Sequence, residues 1–205
     1  MTDEKLVANL KSLPTSILSD SMGRVNAMMA EIKPITENIS MAGPAVTVQC
    51  MVGNNTIIHR AIYVAQAGDI LVIDAKGHKD TAIWGYIMTK AAMYRGIKGV
   101  IIDGSIRDVK ENRETGFPIF CRGITPGGPH KGSGGNINVP IKCGGVAISP
   151  GDFVVGDDDG VVIVPKHATK GVLIDAKIRV KTEEKWLKGL EEGRTTSEVL
   201  GLEKE

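Results

Sequence analysis

Arg107 and Asp108 stand side by side, downstream of the apolar run Val100, Ile101 and Ile102. That run reads as a buried strand, and Asp103, Gly104 and Ser105 after it read as a turn. Charged side chains just past the carboxyl end of a core strand sit where open α/β sheets form their ligand crevice. A guanidinium offers a planar fork of donors to a carboxylate, and an aspartate offers a hard oxygen to a divalent cation. The pair points to a site for a small oxyacid held with a metal ion. The same spacing also fits a structural role, with Asp108 capping a helix and Arg107 paired to a nearby carboxylate.

A second anion seat is readable upstream. Residues 81–94 carry apolar side chains at helical spacing, with Gly85 near the start and Arg95-Gly96 as the stop. Backbone amides at a helix N-terminus attract carboxylates, so a first turn near Gly85 is a candidate seat. Gly85 also fits a plain packing contact. Elsewhere the chemistry is sparse. His59, His78, His130 and His167 show no metal-ligand spacing. The run Asp157, Asp158, Asp159, Gly160 lacks the later glutamate of an EF-hand loop and suits a turn between strands. Gly127, Gly128, Gly132, Gly134 and Gly135 do not close on the Lys-Ser/Thr of a phosphate-binding loop, and no Gly-x-Gly-x-x-Gly follows a strand. Cys50, Cys121 and Cys143 are widely spaced and read as core residues rather than a disulfide or zinc framework.

The elements that must position these groups alternate in type. Helices are expected over 4–13, stopped by Pro14, and again after Thr15 as N-cap. A strand over 45–50, a helix from Asn55 or Thr56 to Ala65 and a strand over 70–74 follow. With the 81–94 helix and the Val100 strand they make a βαβ unit with a right-handed crossover. Residues 107–115 read as a short helix and 118–121 as a strand. Residues 125–135 read as a surface loop, mobile unless a neighbour or ligand orders it. Short strands crowd at 139–141, 146–148, 153–155 and 161–164. A charged amphipathic helix over 166–190 precedes a short tail after Gly193.

At 205 residues, 42% hydrophobic and net charge +1, the chain is expected to form a single domain over 1–205 with a sizeable core. The mixed charges argue against a nucleic-acid partner, and no apolar run approaches a membrane span. The acidic start without a signal-peptide core leads to an expected cytoplasmic location.

Together these residues resemble the RraA-like family, which includes the class II 4-hydroxy-4-methyl-2-oxoglutarate/4-carboxy-4-hydroxy-2-oxoadipate aldolases. The resemblance runs over nearly the whole chain. It includes Leu13 to Thr15 with Ser19-Asp20 and Gly23-Arg24, then Gly43 to Val48, Gly68 to Asp74, Trp84-Gly85 and Val100 to Asp108. Asn138 to Pro140, Gly144-Gly145, Pro150 to Asp152 and Gly156 to Pro165 complete it. It implies a swivelling β/β/α domain flanked by N-terminal and C-terminal helices. It also implies a homotrimer ring or homohexamer with sites between subunits, and Mg²⁺ or Mn²⁺ with a pyruvate unit in each.

By position, the resemblance makes Asp108 the metal residue, mostly through or alongside waters. It gives Arg107 the pyruvate oxygen that becomes an enolate. It gives the backbone of Gly85, Tyr86, Ile87 and Met88 the substrate carboxylate, and makes Glu183 an acid reaching a neighbouring subunit's site. Two departures pull in opposite directions. The regulatory branch, which binds ribonuclease E without catalysis, lacks the aspartate that is present here as Asp108. The aldolases carry an acid just after the helix-opening glycine, where this chain has Tyr86. A phenol keeps its proton at neutral pH and is a poor base for aldol cleavage. The expected function is a divalent-metal-dependent lyase on pyruvate-yielding oxyacids, with oxaloacetate decarboxylation favoured. A regulator that binds a protein partner is the alternative.

Overall fold

Strands made of nearly unbroken Val, Ile and Leu need cover on both faces. The computed structural model describes residues 2–202, so the ends of the expected 1–205 domain lie outside the described residues. The chain opens with α1 (Asp3–Lys11) and α2 (Thr15–Ser21), then β1 (Lys33–Pro34) and β2 (Met41–Gln49). Next come α3 (Thr56–Val64), β3 (Ile70–Asp74), β4 (Ala82–Trp84), α4 (Tyr86–Tyr94), β5 (Gly99–Ile106) and α5 (Val109–Glu114). A strand-rich stretch follows: β6 (Ile119–Ile124), β7 (Asn136–Ile137), β8 (Ile141–Cys143), β9 (Val146–Ile148), β10 (Phe153–Asp157) and β11 (Gly160–Val164). The last elements are α6 (Thr169–Glu191) and α7 (Thr196–Leu200).

The hydrogen-bonded order is β1-β6-β5-β3-β2-β10-β11, with β4 added to β5 and β7 to β2. The centre, β6-β5-β3-β2, is parallel, and the β10–β11 hairpin extends it antiparallel. The sheet curls until its ends meet. Ala27 bridges Val162 of β11, and the Lys33 ammonium of β1 donates to the Asp159 carbonyl. The result is the α/β architecture expected, with a nearly closed, barrel-like sheet of the swivelling β/β/α type.

Alternation along the strands sorts the core. Leu71, Ile73, Val100 and Ile102 face outward under α3 and α4. Ile70, Val72 and Ile101 face the barrel interior, where Phe120 and the β8–β9 hairpin fill the space. Phe153, Val155 and Val164 carry α1, α2 and α6 on a third surface. The three cysteines are free and buried, as core residues should be. Burial pushes the Cys50 thiol up to about 12 and the Cys121 thiol up to about 11, which leaves both unreactive at neutral pH.

Several expectations change. Asp103, Gly104 and Ser105 are not a turn but the second half of β5, with a register shift after Ile102. The Asp103 carboxylate is accommodated there because Arg122 pairs with it at 2.5 Å and the Gly144 amide donates at 2.8 Å. Gly104 is there for close approach, since a Cβ would lie 2.8 Å from the Ala75 methyl. The first turn of the expected 81–94 helix is instead β4, which pairs with the end of β5.

Thr15 is not an N-cap. It lies inside α2, and its amide and hydroxyl both donate to Asp157. The acidic run is a two-residue hairpin turn, as expected; the Asp157 carboxylate accepts the backbone amides of Thr15 and Asp159, and the Asp158 carboxylate accepts those of Asn38 and Ile39. The strand expected at 139–141 moves to Ile141–Cys143, because Pro140 has no amide to give a ladder. The tail after Gly193 carries α7, opened by a capping box between Thr195 and Glu198.

Candidate active site

Arg107 and Asp108 occupy the turn between β5 and α5, and two backbone bonds and one side-chain bond fix that turn. The Arg107 amide donates to the Trp84 carbonyl at 3.0 Å. The side-chain amide of Asn112, itself fully buried, donates to the Arg107 carbonyl at 2.9 Å. The Asn112 backbone amide donates to the Asp108 carbonyl at 3.0 Å. Asp108 is held in the left-handed region, φ 57° and ψ 44°, a conformation Asp tolerates better than most residues. There its side chain turns away from α5 altogether.

The structural alternative for Asp108 is half realised, on a different helix. Asp108 makes no side-chain cap for α5. Its Oδ2 instead accepts from the Tyr86 amide at 3.0 Å, at the N-terminus of α4, and lies 3.8 Å from Arg107 Nε. Met88 and Thr89 amides go to the Gly85 carbonyl. Among the described residues, these bonds leave the Ile87 amide as the first-turn donor still open to an anion.

Gly85 makes the arrangement possible. A Cβ there would lie 2.5 Å from Asp108 Oδ2 and 3.3 Å from Arg107 Cγ. Gly85→Ala is therefore expected to displace the carboxylate and weaken divalent-cation binding about 10–100-fold. Manganese titration of the folded variant checks this.

A cavity of about 290 Å³ opens beside these groups. Gly85, Ile87, Met88, Arg107 and Asp108 line it, together with Asn55, His59 and Lys131. Tyr86 is not among its lining residues, and its amide is what binds Asp108. Glu183 does not line the cavity either. It bonds Arg179 at 3.3 Å on α6, and Arg179 in turn reaches Asp20 of α2 at 2.6 Å. Within one chain, then, Arg107, Asp108 and the opening of α4 come together while Glu183 stays apart.

Residues 125–135, expected as a surface loop, bring a further side chain to the cavity. This loop is pinned over the cavity. The Ala82 amide donates to Gly127, the His130 amide to Gly53 at 2.7 Å, and the Gly132 amide to the Thr56 hydroxyl at 3.2 Å. Gly128 passes so close to Arg107 that a Cβ would lie 3.2 Å from Nη1. Lys131 thereby enters the site. Its ammonium donates to Asn55 Oδ1 at 2.6 Å and meets His59 Nε2 at 3.2 Å. The only forewarning was a lone lysine within a glycine-rich stretch, and nothing local says where such a loop will lie.

One carboxylate oxygen of Asp108 is committed to α4, and the half-exposed group leaves the other free for a cation. No three His, Cys, Asp or Glu side chains converge as a cage among the described residues. A lone carboxylate suits a hard ion that keeps most of its positions for water and substrate oxygen, as Mg²⁺ does. The donor set fits such an ion.

Comparisons with known proteins bear on the family of the chain. The family model RraA-like, Aldolase/RraA, matches residues 15–163. A relative from Halalkalibacterium halodurans, named provisionally as a 4-hydroxy-4-methyl-2-oxoglutarate aldolase, is 43% identical over 178 residues, 87% of this chain and 85% of its own. An uncharacterized Pseudomonas syringae protein superposes with TM-score 0.81 at 27% identity, covering 96% of both chains. RraAS2 of Streptomyces coelicolor, described as an unusual member of the RNase ES inhibitor RraA family, superposes with TM-score 0.79 at 30% identity, covering 89% of this chain and 96% of its own. On the extent of the family match and the identity to its relatives, the chain belongs to the RraA-like family.

Proposed function

We propose that this chain is a divalent-cation-dependent carbon–carbon lyase acting on pyruvate-yielding oxyacids. Its best substrate is oxaloacetate, and its cleavage of tertiary hydroxy-oxo acids is weak. The observation that carries the reading is the meeting of Arg107, Asp108 and the α4 N-terminus in one cavity. The aldolase name of the Halalkalibacterium relative supports lyase chemistry at the level of the family.

Asp108 would hold Mg²⁺ or Mn²⁺, whose role is to polarise the keto acid and neutralise charge that builds on it. The other roles belong to this chain's own side chains. The Ile87 amide and the positive end of α4 receive the substrate carboxylate. Arg107 places its guanidinium beside the keto oxygen, where negative charge grows as the C3–C4 bond breaks. Lys131, which lines the same cavity, is the seat for the distal carboxylate or oxo group. In oxaloacetate, the C3–C4 electron pair moves into C2–C3 as CO₂ leaves, and a proton then adds at C3 to give pyruvate. No hydroxyl is deprotonated first, so Tyr86 in place of the family's acid is no obstacle. Glu183 is assigned by resemblance to a neighbouring protomer's site in a trimer or hexamer.

Purified protein with Mg²⁺ is expected to release pyruvate from oxaloacetate well above the metal-only blank, and chelation should return the rate to background. Rates equal to the blank overturn the reading. The likeness to an RNase ES inhibitor family member favours a second reading, a catalytically silent protein-binding regulator. Asp108 separates them, since a regulator should keep its partner when Asp108 is replaced.

A further inference from the structure

Lys131 is held in a way the proposed reaction does not by itself require. Among the described residues its ammonium, which lines the cavity, has two hydrogen-bonding neighbours for three hydrogens. Asn55 is 4% exposed, and its side-chain amide nitrogen donates to the Ile83 carbonyl at 3.2 Å and touches Met88 Sδ at 3.5 Å. Those bonds force Asn55 Oδ1 toward Lys131, which it meets at 2.6 Å. The second neighbour is His59 Nε2 at 3.2 Å. An ammonium can only donate, so His59 Nε2 must be unprotonated for this contact to be a bond. The third N–H is left for the cavity.

We propose that neutral His59 is a positioning residue that, with Asn55, holds Lys131 in the cavity as the seat for the substrate's distal oxyanion, and that protonating His59 releases it. The proposal rests on the lyase reading for the identity of the oxyanion, but the coupling between the two side chains stands apart from it. Partial burial of its ring, and then the Lys131 charge, hold His59 below the ordinary histidine range. Lys131 is the charged neighbour that contributes to this shift. From β4 and α4, the wall presents Ile83, Trp84 and Met88, which carry no charge; Arg107 and Asp108 face the same cavity from the β5–α5 turn. The sign follows. At neutral pH His59 accepts from Lys131. As pH falls through the lowered pKa, the imidazole gains a proton, loses its acceptor and repels the ammonium.

The test has two arms. With oxaloacetate and Mg²⁺, KM should rise about tenfold or more from neutral pH to a pH below the His59 midpoint read by NMR, the size of one lost hydrogen bond to a charged group. In His59→Gln, whose side-chain oxygen accepts but does not titrate there, that ratio should fall to about twofold or less. A persisting acid limb in His59→Gln overturns the proposal. The second arm needs no catalysis. In cation-free protein, the His59 ring pKa followed by NMR should move upward in Lys131→Met, because a repelling charge has gone. An unmoved His59 pKa in Lys131→Met overturns the coupling even if oxaloacetate is turned over. An upward shift without any pyruvate release would sink the lyase reading alone.

Discussion

Asp108→Asn is expected to lower kcat/KM for oxaloacetate about 10²–10³-fold while leaving the fold intact. The amide oxygen of Asn can still accept from the Tyr86 amide, now met at 3.0 Å by Asp108 Oδ2. Asn also tolerates the left-handed backbone that position 108 adopts, φ 57°. What the substitution removes is the negative charge and one hard oxygen, the two properties a divalent cation needs. Asp108→Ala should lose the same activity and, in addition, the bond to α4, at a cost of about 0.5–2 kcal/mol. A melting temperature unchanged in Asp108→Asn and lowered by a few degrees in Asp108→Ala separates the chemical role from the capping role. Equal activity in all three proteins contradicts the assignment.

Arg107→Lys should cost about 10²-fold in kcat, with a smaller change in KM. Charge is conserved in this variant, so a site that needs only positive charge would barely respond. The guanidinium, however, is a planar fork built over the α4 turn, with its Nε 3.8 Å from Asp108 Oδ2 and Gly128 packed at its tip. An ammonium cannot reproduce two parallel donors toward a keto oxygen and a carboxylate. Charge that grows during bond breaking is felt in kcat, whereas uniform ground-state binding is felt in KM. Steady-state kinetics on oxaloacetate, with stability checked by thermal melting, decide between these outcomes. A pure KM effect would reduce Arg107 to a substrate anchor.

Much of this architecture is legible from local pattern. The strand over 70–74, the helix after Asn55 and the long closing helix follow from apolar runs and periodicity, which depend on neighbours in sequence. So does the placement of Arg107 and Asp108 just past a core strand. What was not legible depends on partners far along the chain. Asp103 reads as a turn residue until Arg122 and the Gly144 amide arrive to satisfy it. Residues 82–84 carry a helical pattern but bond to β5, a pairing that periodicity cannot register. Thr15 has the right chemistry for a cap, yet Asp157 claims it from the far end of the sequence. The share of Asn55, His59 and Lys131 in the cavity is hidden for the same reason, since a glycine-rich loop takes its path from tertiary bonds.

The claim on which the rest depends is that Asp108 holds a divalent cation beside Arg107. Manganese binding followed by electron paramagnetic resonance, with pyruvate present, addresses it without requiring turnover. One bound Mn²⁺ per chain is expected in the native protein and none in Asp108→Asn at the same concentrations. Indistinguishable binding in the two proteins, or no binding in either, would contradict it.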